Sequence, residues 1–216
     1  MGQCSNHVPR LEMPGAAAKK KSLHATEREM PRVQHARALY RQRLATLDLR
    51  RLKFVDEAGM NRAMTRLYGR APKGEPVVGT SPQNYGDNIT QLGALDQHGI
   101  QAVLTVNGAT DADVFRAYVT QVLAPTLVPG DIVVLDNLAA HKVVGVQQAF
   151  ARRGARLLCL PPYSPDLSPM ELCVSKLKTA LRAARAPTRE AIETAIRAAM
   201  EAVTALDACH WFRHCG

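Results

Sequence analysis

Three acidic residues stand where a charge is expensive. Asp56 ends the run Leu52-Lys53-Phe54-Val55, and Asp136 ends Ile132-Val133-Val134-Leu135. Glu171 follows the proline-rich run Pro161-Pro162-Tyr163-Ser164-Pro165-Asp166-Leu167-Ser168-Pro169-Met170. A carboxylate at the end of an apolar strand is costly unless something cationic neutralises it. Two Mg2+ ions about 3.5–4 Å apart would do so, and such a pair activates a nucleophile and stabilises a leaving oxygen in phosphodiester cleavage. Mg2+ takes hard oxygen ligands and keeps several waters, so three carboxylates suffice. With 34 residues between Asp136 and Glu171, the layout is that of a two-metal site for cutting and rejoining nucleic acid. Asp56, on the central strand, is expected to bridge the ions, with Asp136 and Glu171 holding one each.

Each acid also has a plainer role available. Asp56 suits a strand-ending turn, and Asp136-Asn137 suits a turn or a helix cap. Glu171 completes the capping box Ser168-x-x-Glu171, with Pro169 at the first helical position. What favours a site is the three together, two after strand-like runs and one after a stiff loop. Glu57, Asp131 and Asp166 compete less well. Glu57 points to the opposite face from Asp56, and the other two lie at an element start or in a loop.

The elements that must position these acids follow from periodicity. Thr26-x-x-Glu29 suggests a capping box, and Val33, Ala36, Tyr40, Leu44 and Leu47 mark the apolar stripe of a helix, with Arg37, Arg41 and Arg43 off it. Strands are expected over 52–57, 88–96 and 100–106, the last two joined by the turn Gln97-His98-Gly99. Residues 61–87, rich in Pro, Gly and Arg, have room for a short hairpin. Thr110-x-x-Asp113 opens a helix to about Ala124, ended by Pro125. A fourth strand over 131–136, a helix over 142–153 closed by Gly154 and a fifth strand over 155–160 imply parallel pairing through a right-handed crossover. A helix from Pro169 to about Arg185 and another from near Thr188 complete the chain. The predicted fold class is α/β, a mixed five-stranded sheet of three antiparallel and then two parallel strands, flanked by helices. Asp136 then lies at the carboxyl edge of the parallel half, where ligands bind in such sheets, with Asp56 beside it if strands one and four are neighbours.

At 216 residues and 46% hydrophobic content the chain suits one domain plus extensions. The expected division is a basic arm and linker helix over 1–49 and a catalytic domain with C-terminal helices over 50–216. No apolar run reaches about 18 residues and no apolar segment opens the chain, so a soluble cytoplasmic protein with no membrane contact is expected. The net charge is +9, and ten Lys/Arg against four acids in residues 1–50 supply +6 of it. Such an arm, with Lys19, Lys20 and Lys21 at its centre, favours a polyanion through counterion release. Its alternative is a solvated basic linker. The five cysteines form no C-x-x-C pair, which fits reduced thiols. Cys209-His210 and His214-Cys215 are adjacent pairs that do not converge readily on one zinc ion.

Phe54-Val55-Asp56-Glu57-Ala58-Gly59-Met60-Asn61, Val134-Leu135-Asp136-Asn137-Leu138-Ala139-Ala140-His141-Lys142 and Leu160-Pro161 through Glu171 together resemble the three catalytic blocks of mariner-type insertion-sequence transposases. These belong to the DDE superfamily, whose fold is ribonuclease H-like, and the resemblance covers about residues 50–185. It implies Mg2+-dependent cutting at insertion-sequence ends, with Mn2+ as substitute, and strand transfer into target DNA, usually at TA. It also implies a homodimer in the DNA complex, acting on chromosomal DNA. Asn137 and His141 fall on the family's Asp-Asn-x-x-x-His pattern and would sit close to the metals. Two departures stand out. Val174 precedes Ser175-Lys176-Leu177-Lys178 where the family commonly carries Trp, which would loosen packing under Glu171. The first fifty residues resemble only the family's linker, so the chain is expected to be the catalytic part of a split or truncated transposase, with a separate helix-turn-helix chain as partner.

Independently of that resemblance, Met170, Val174, Leu177, Leu181 and Ala184 step 4, 3, 4, 3 as a buried seam. One position over, Glu171, Ser175, Lys178, Arg182 and Arg185 form a row whose cations run away from the acid. It reads as a phosphate track, with a solvated helix face as the alternative. Two other functions stay open: a stand-alone ribonuclease H-like nuclease, such as a ribonuclease H or junction resolvase, and an inactive DNA-binding or dimer-forming remnant. The proline-rich third block argues against the first, and the presence of all three carboxylates against the second.

Overall fold

The sheet is built outward from β1 (Leu52–Met60), which pairs antiparallel with β2 (Ile89–Asp96) and parallel with β4 (Ile132–Leu135). The computed structural model describes residues 24–84, 86, 88–136 and 145–216. β3 (Gly99–Asn107) closes the antiparallel edge and β5 (Arg156–Cys159) the parallel edge, in the order β3-β2-β1-β4-β5. This is the expected α/β fold, three antiparallel strands continued by two parallel ones and covered by helices.

Alternation along β1 divides the core in two. Leu52, Phe54, Ala58 and Met60 face one layer, together with Ile132 and Val134. Against them pack α4 (Pro169–Ala184), α5 (Arg189–Glu201) and α6 (Ala205–Cys215), and also α1 (Pro31–Leu44) through Tyr40 and Leu44. Phe54 meets Phe212 of α6 edge-on with ring centroids 5.4 Å apart, a contact worth about 1 kcal/mol beyond its burial. Val55, Leu92, Val133 and Leu135 face the other layer. There α2 (Ala112–Ala117), its continuation through Tyr118, Val119 and Leu123, and α3 (Val146–Arg152) cover them.

Several elements differ from the sequence expectation for identifiable reasons. The first helix starts at Pro31, not Thr26, and Thr26–Glu29 is a separate 3-10 turn. Pro31 forces Met30 into extended backbone (φ −61°, ψ 137°), which breaks any helix running through it. Arg37 lies on the buried stripe of α1 with Val33, Tyr40 and Leu44, not off it. Asp111 rather than Thr110 caps α2, because its carboxylate accepts from the N–H groups of Asp113 and Val114. No residue described between β1 and β2 is in a strand, so the expected hairpin over 61–87 is not formed there. α4 ends at Ala184, and Arg185 adopts the left-handed conformation (φ 49°) of a C-terminal cap. α6, opened by a capping box between Thr204 and Asp207, was not singled out from sequence. No helix among the described residues is long and apolar enough to cross a membrane.

Candidate active site

Parallel pairing brings the two aspartates level. Phe54 of β1 is in register with Val134 of β4, and two residues further along each chain lie Asp56 and Asp136. Both continue the parity of Leu52, Phe54, Ile132 and Val134, so both face the layer that holds α4. β4 stops at Leu135, one residue before Asp136, whereas β1 runs on to Met60 and carries Asp56 in mid-strand opposite Gly93. The pleat that buries the preceding side chains therefore delivers the acids to one edge.

Glu171 comes to that edge from above. Pro169 occupies the first turn of α4, where a missing N–H costs nothing, and Met170, Cys173, Val174, Leu177 and Leu181 turn into the core. Val174, at the place where a Trp was expected from the family pattern, is buried. Ala184 is exposed and does not extend the seam. The sheet makes room for the helix at Gly93, the cross-strand partner of Asp56. A β-carbon on Gly93 would stand 3.4 Å from Met170 Cε. Alanine fits there in ordinary contact, and anything larger must displace the residue that precedes Glu171.

The loop leading into α4 is clamped from the far end of the sequence. Arg37 donates from Nη1 to Asp166 Oδ1 at 2.9 Å and from Nη2 to Oδ2 at 2.7 Å, and Arg28 donates to Oδ2 at 3.1 Å. Arg37 is only 1% exposed. The paired guanidinium groups hold the Asp166 carboxyl below the usual carboxylate range. Asp166 is thus structural, as are Asp131, which accepts from the Val128 N–H and lies 3.7 Å from Arg51, and Asp96, 3.0 Å from Lys53 Nζ.

Asp56, Asp136 and Glu171 line one open cavity of about 500 Å3, together with Arg32, Leu160 and the loop from Pro161 to Pro165. Burial pushes the Asp56 carboxyl up to about 6, and the neighbouring Glu171, Asp136 and Glu57 charges push the same way, against a hydrogen bond from the Glu57 N–H. Among the described residues no cation pairs with Asp56. The donor set is oxygen only, the preference of Mg2+ or Mn2+, and the like-charge repulsion at Asp56 is what a divalent cation would relieve. Among the described residues no three His, Cys, Asp or Glu side chains gather as a ready single-ion cage. Two well-hydrated ions spread over three carboxylates require no such cage, so the residues fit the metals.

Of the other predicted site residues, the structure describes Lys178, Arg182 and Arg185. Asn137, His141 and Lys19, Lys20 and Lys21 lie outside the described residues. Lys178 and Arg182 lie half-buried on α4, and Arg185 leaves the helical row at the left-handed cap. Sequence reasoning missed Arg32, Arg37, Gly93 and Tyr163. For Arg37 the signal was available, because 33, 37, 40 and 44 step 4, 3, 4 like any buried stripe. Tyr163, with φ 53°, and the pairing of Gly93 with Asp56 carry no local signal.

Residues 51–193 match the family described as DDE superfamily endonuclease. The chain belongs to that superfamily. No curated protein matches the sequence of this DDE endonuclease, whereas solved structures do match its fold. It is similar to a pre-cleavage Mos1 transpososome at 18% identity with a TM-score of 0.72, covering 94% of this chain and 64% of that one. A Mos1 strand transfer complex gives 19% identity and 0.70, over 94% and 63%. The Mos1 transposase catalytic domain with raltegravir and Mg gives 16% and 0.63, over 89% and 92%. At such identities the likeness is one of fold, and the DDE endonuclease spans 64% of the length of the pre-cleavage Mos1 chain.

Proposed function

We propose that this DDE endonuclease is the catalytic part of a mariner-type insertion-sequence transposase, making metal-dependent strand cuts at element ends and joining them to target DNA at TA. The observation that carries the reading is the convergence of Asp56, Asp136 and Glu171, from two neighbouring strands and a helix, on one cavity. Residues 50–216 form its catalytic unit, and the preceding segment is a basic arm and a helix docked on that unit. Asp56, Asp136 and Glu171 would hold two Mg2+ or Mn2+ ions. When bound, such ions activate a water or a 3′ hydroxyl and stabilise the leaving oxygen. The chain's own work is to keep these carboxylates fixed and turned the same way. β1 and β4 fix two through their register, and the clamped loop fixes the third. On this reading Asn137 and His141 would act near the metals, and Lys178, Arg182, Arg185 and Lys19, Lys20 and Lys21 would contact phosphates.

The Mos1 assemblies are described as paired-end, strand-transfer and Mg- or Mn-containing complexes. They support a reading in which this chain acts on DNA. We infer in addition that two copies act together in the cytoplasm, with end recognition by a helix-turn-helix chain. A nicking assay on supercoiled plasmid carrying an element end tests it. Wild type should nick with Mg2+ or Mn2+ and not with EDTA, and equal nicking by Asp56→Asn would defeat the assignment.

A further inference from the structure

Two side chains at the mouth of the carboxylate cavity have no part in the metal site or the core. Arg32, in the first turn of α1, is the single cation among the described lining residues. Among the described residues it forms no ion pair, and its one polar contact there is a long one, from Nη2 to the Met30 sulfur at 3.8 Å. Its position is built, since five residues further on Arg37 is buried and locked to Asp166 of the same loop that walls the cavity. Across that wall Tyr163 is 45% exposed, an aromatic ring that folding has left in water. Its backbone is held at φ 53°, a left-handed conformation that costs a bulky residue of order 1 kcal/mol or more. Pro162 before it and Ser164, whose hydroxyl donates to the Pro162 carbonyl at 2.9 Å, maintain that turn.

A cation without a counter-ion and an exposed aromatic face at one rim are the two groups that grip a nucleic-acid strand: charge for the phosphate, ring for the base or sugar. We propose that Arg32 and Tyr163 form a strand-binding rim, with Arg32 on a backbone phosphate next to the cut and Tyr163 on a base or sugar face. This rests on the proposed DNA cleavage at the same cavity and adds which groups seat the strand. The rim also answers an electrostatic difficulty. A polyanion must approach three carboxylates, and a rim cation offsets part of that repulsion before any metal contact is made.

The two contacts leave different signatures. Binding of a fluorescein-labelled duplex with a single-stranded tail is measured by anisotropy across a salt series. Arg32→Gln should lower the slope of log affinity against log salt by about one, and Arg32→Lys should restore it. Tyr163→Ala should weaken binding about tenfold with the slope unchanged, and Tyr163→Phe should bind like wild type. Melting temperatures should not move for the Arg32 variants, because the side chain is exposed and its one polar contact among the described residues is a long one. A wild-type slope in Arg32→Gln, or wild-type affinity in Tyr163→Ala, overturns the rim. Plasmid nicking by Asp56→Asn, run alongside, reports on the metal-site reading separately, since the binding slope needs no cleavage.

Discussion

Asp166 and Glu171 stand five residues apart in one block, and Asp96 and Asp56 are brought together by one sheet, yet the members of each pair live in opposite electrostatic worlds. Asp166 has Arg37 and Arg28, Asp96 has Lys53, Asp131 has Arg51 and Asp207 has Lys176 at 2.6 Å. Around Asp56 the neighbouring charges are Glu171, Asp136 and Glu57, all of its own sign. Where these acids serve the fold, the chain supplies the cation itself. Beside Asp56 the described residues supply more acid, and a bound divalent cation would supply the counter-charge. The difference supports the proposal that Asp56, with Asp136 and Glu171 beside it, serves a ligand and not the fold.

The largest expected effect separates the two sets by activity. Asp56→Asn, Asp136→Asn and Glu171→Gln should each reduce metal-dependent plasmid nicking to background, because the amide keeps the shape and loses the charge. Far-ultraviolet circular dichroism should stay unchanged. A variant that nicks like wild type leaves the set.

The next effect is in stability and has the opposite sign in the two sets. Asp166→Asn leaves the buried Arg37 uncompensated and should cost about 3 kcal/mol in urea unfolding at pH 7. The Asp166 carboxyl is held low, so its contribution is present above the ordinary carboxylate range and fades as pH falls through and below it. Asp56→Asn should instead stabilise the metal-free protein by an amount on the order of 2 kcal/mol at pH 7. Its carboxyl is raised from 3.8 to about 6, so wild type loses stability as pH climbs through that window. The gain in Asp56→Asn should therefore vanish below about pH 4. Equal signs for the two variants would erase the distinction.

Smallest is the effect of the α4 cations. Replacing Lys178, Arg182 and Arg185 together with Gln should change stability by less than about 0.5 kcal/mol per site and weaken DNA binding for all sequences alike, with a lower salt slope. Because Arg185 sits in the left-handed cap rather than on the helix, Arg185→Gln alone should contribute least to that slope. Unfolding of the triple variant with intact affinity per folded molecule would make the row structural.

What was legible in the sequence was whatever local pattern carries. The apolar run before Asp136 announced the end of β4, whereas β1 continues past Asp56 to Met60 instead of stopping at 57. The strand, helix, strand order announced parallel pairing, which the register of Phe54 with Val134 realises. Ser168-Pro169 announced the start of α4. What was illegible depends on partners far away in sequence. Arg37 was set off the stripe of α1 because a charge is discounted at a core position, and its counter-ion lies 129 residues on. Gly93 matters only through β1–β2 register and Met170. The Thr26 start failed for a local reason that was readable, the restriction Pro31 places on Met30.

The central claim is that the acids of this edge await an external divalent cation. Crystals grown with Mn2+ and measured at the manganese absorption edge test it most directly. The account predicts anomalous peaks among Asp56, Asp136 and Glu171 that disappear in Asp56→Asn crystals grown the same way. Mn2+ peaks only at other carboxylates, or none in this cavity at saturating Mn2+, would contradict it.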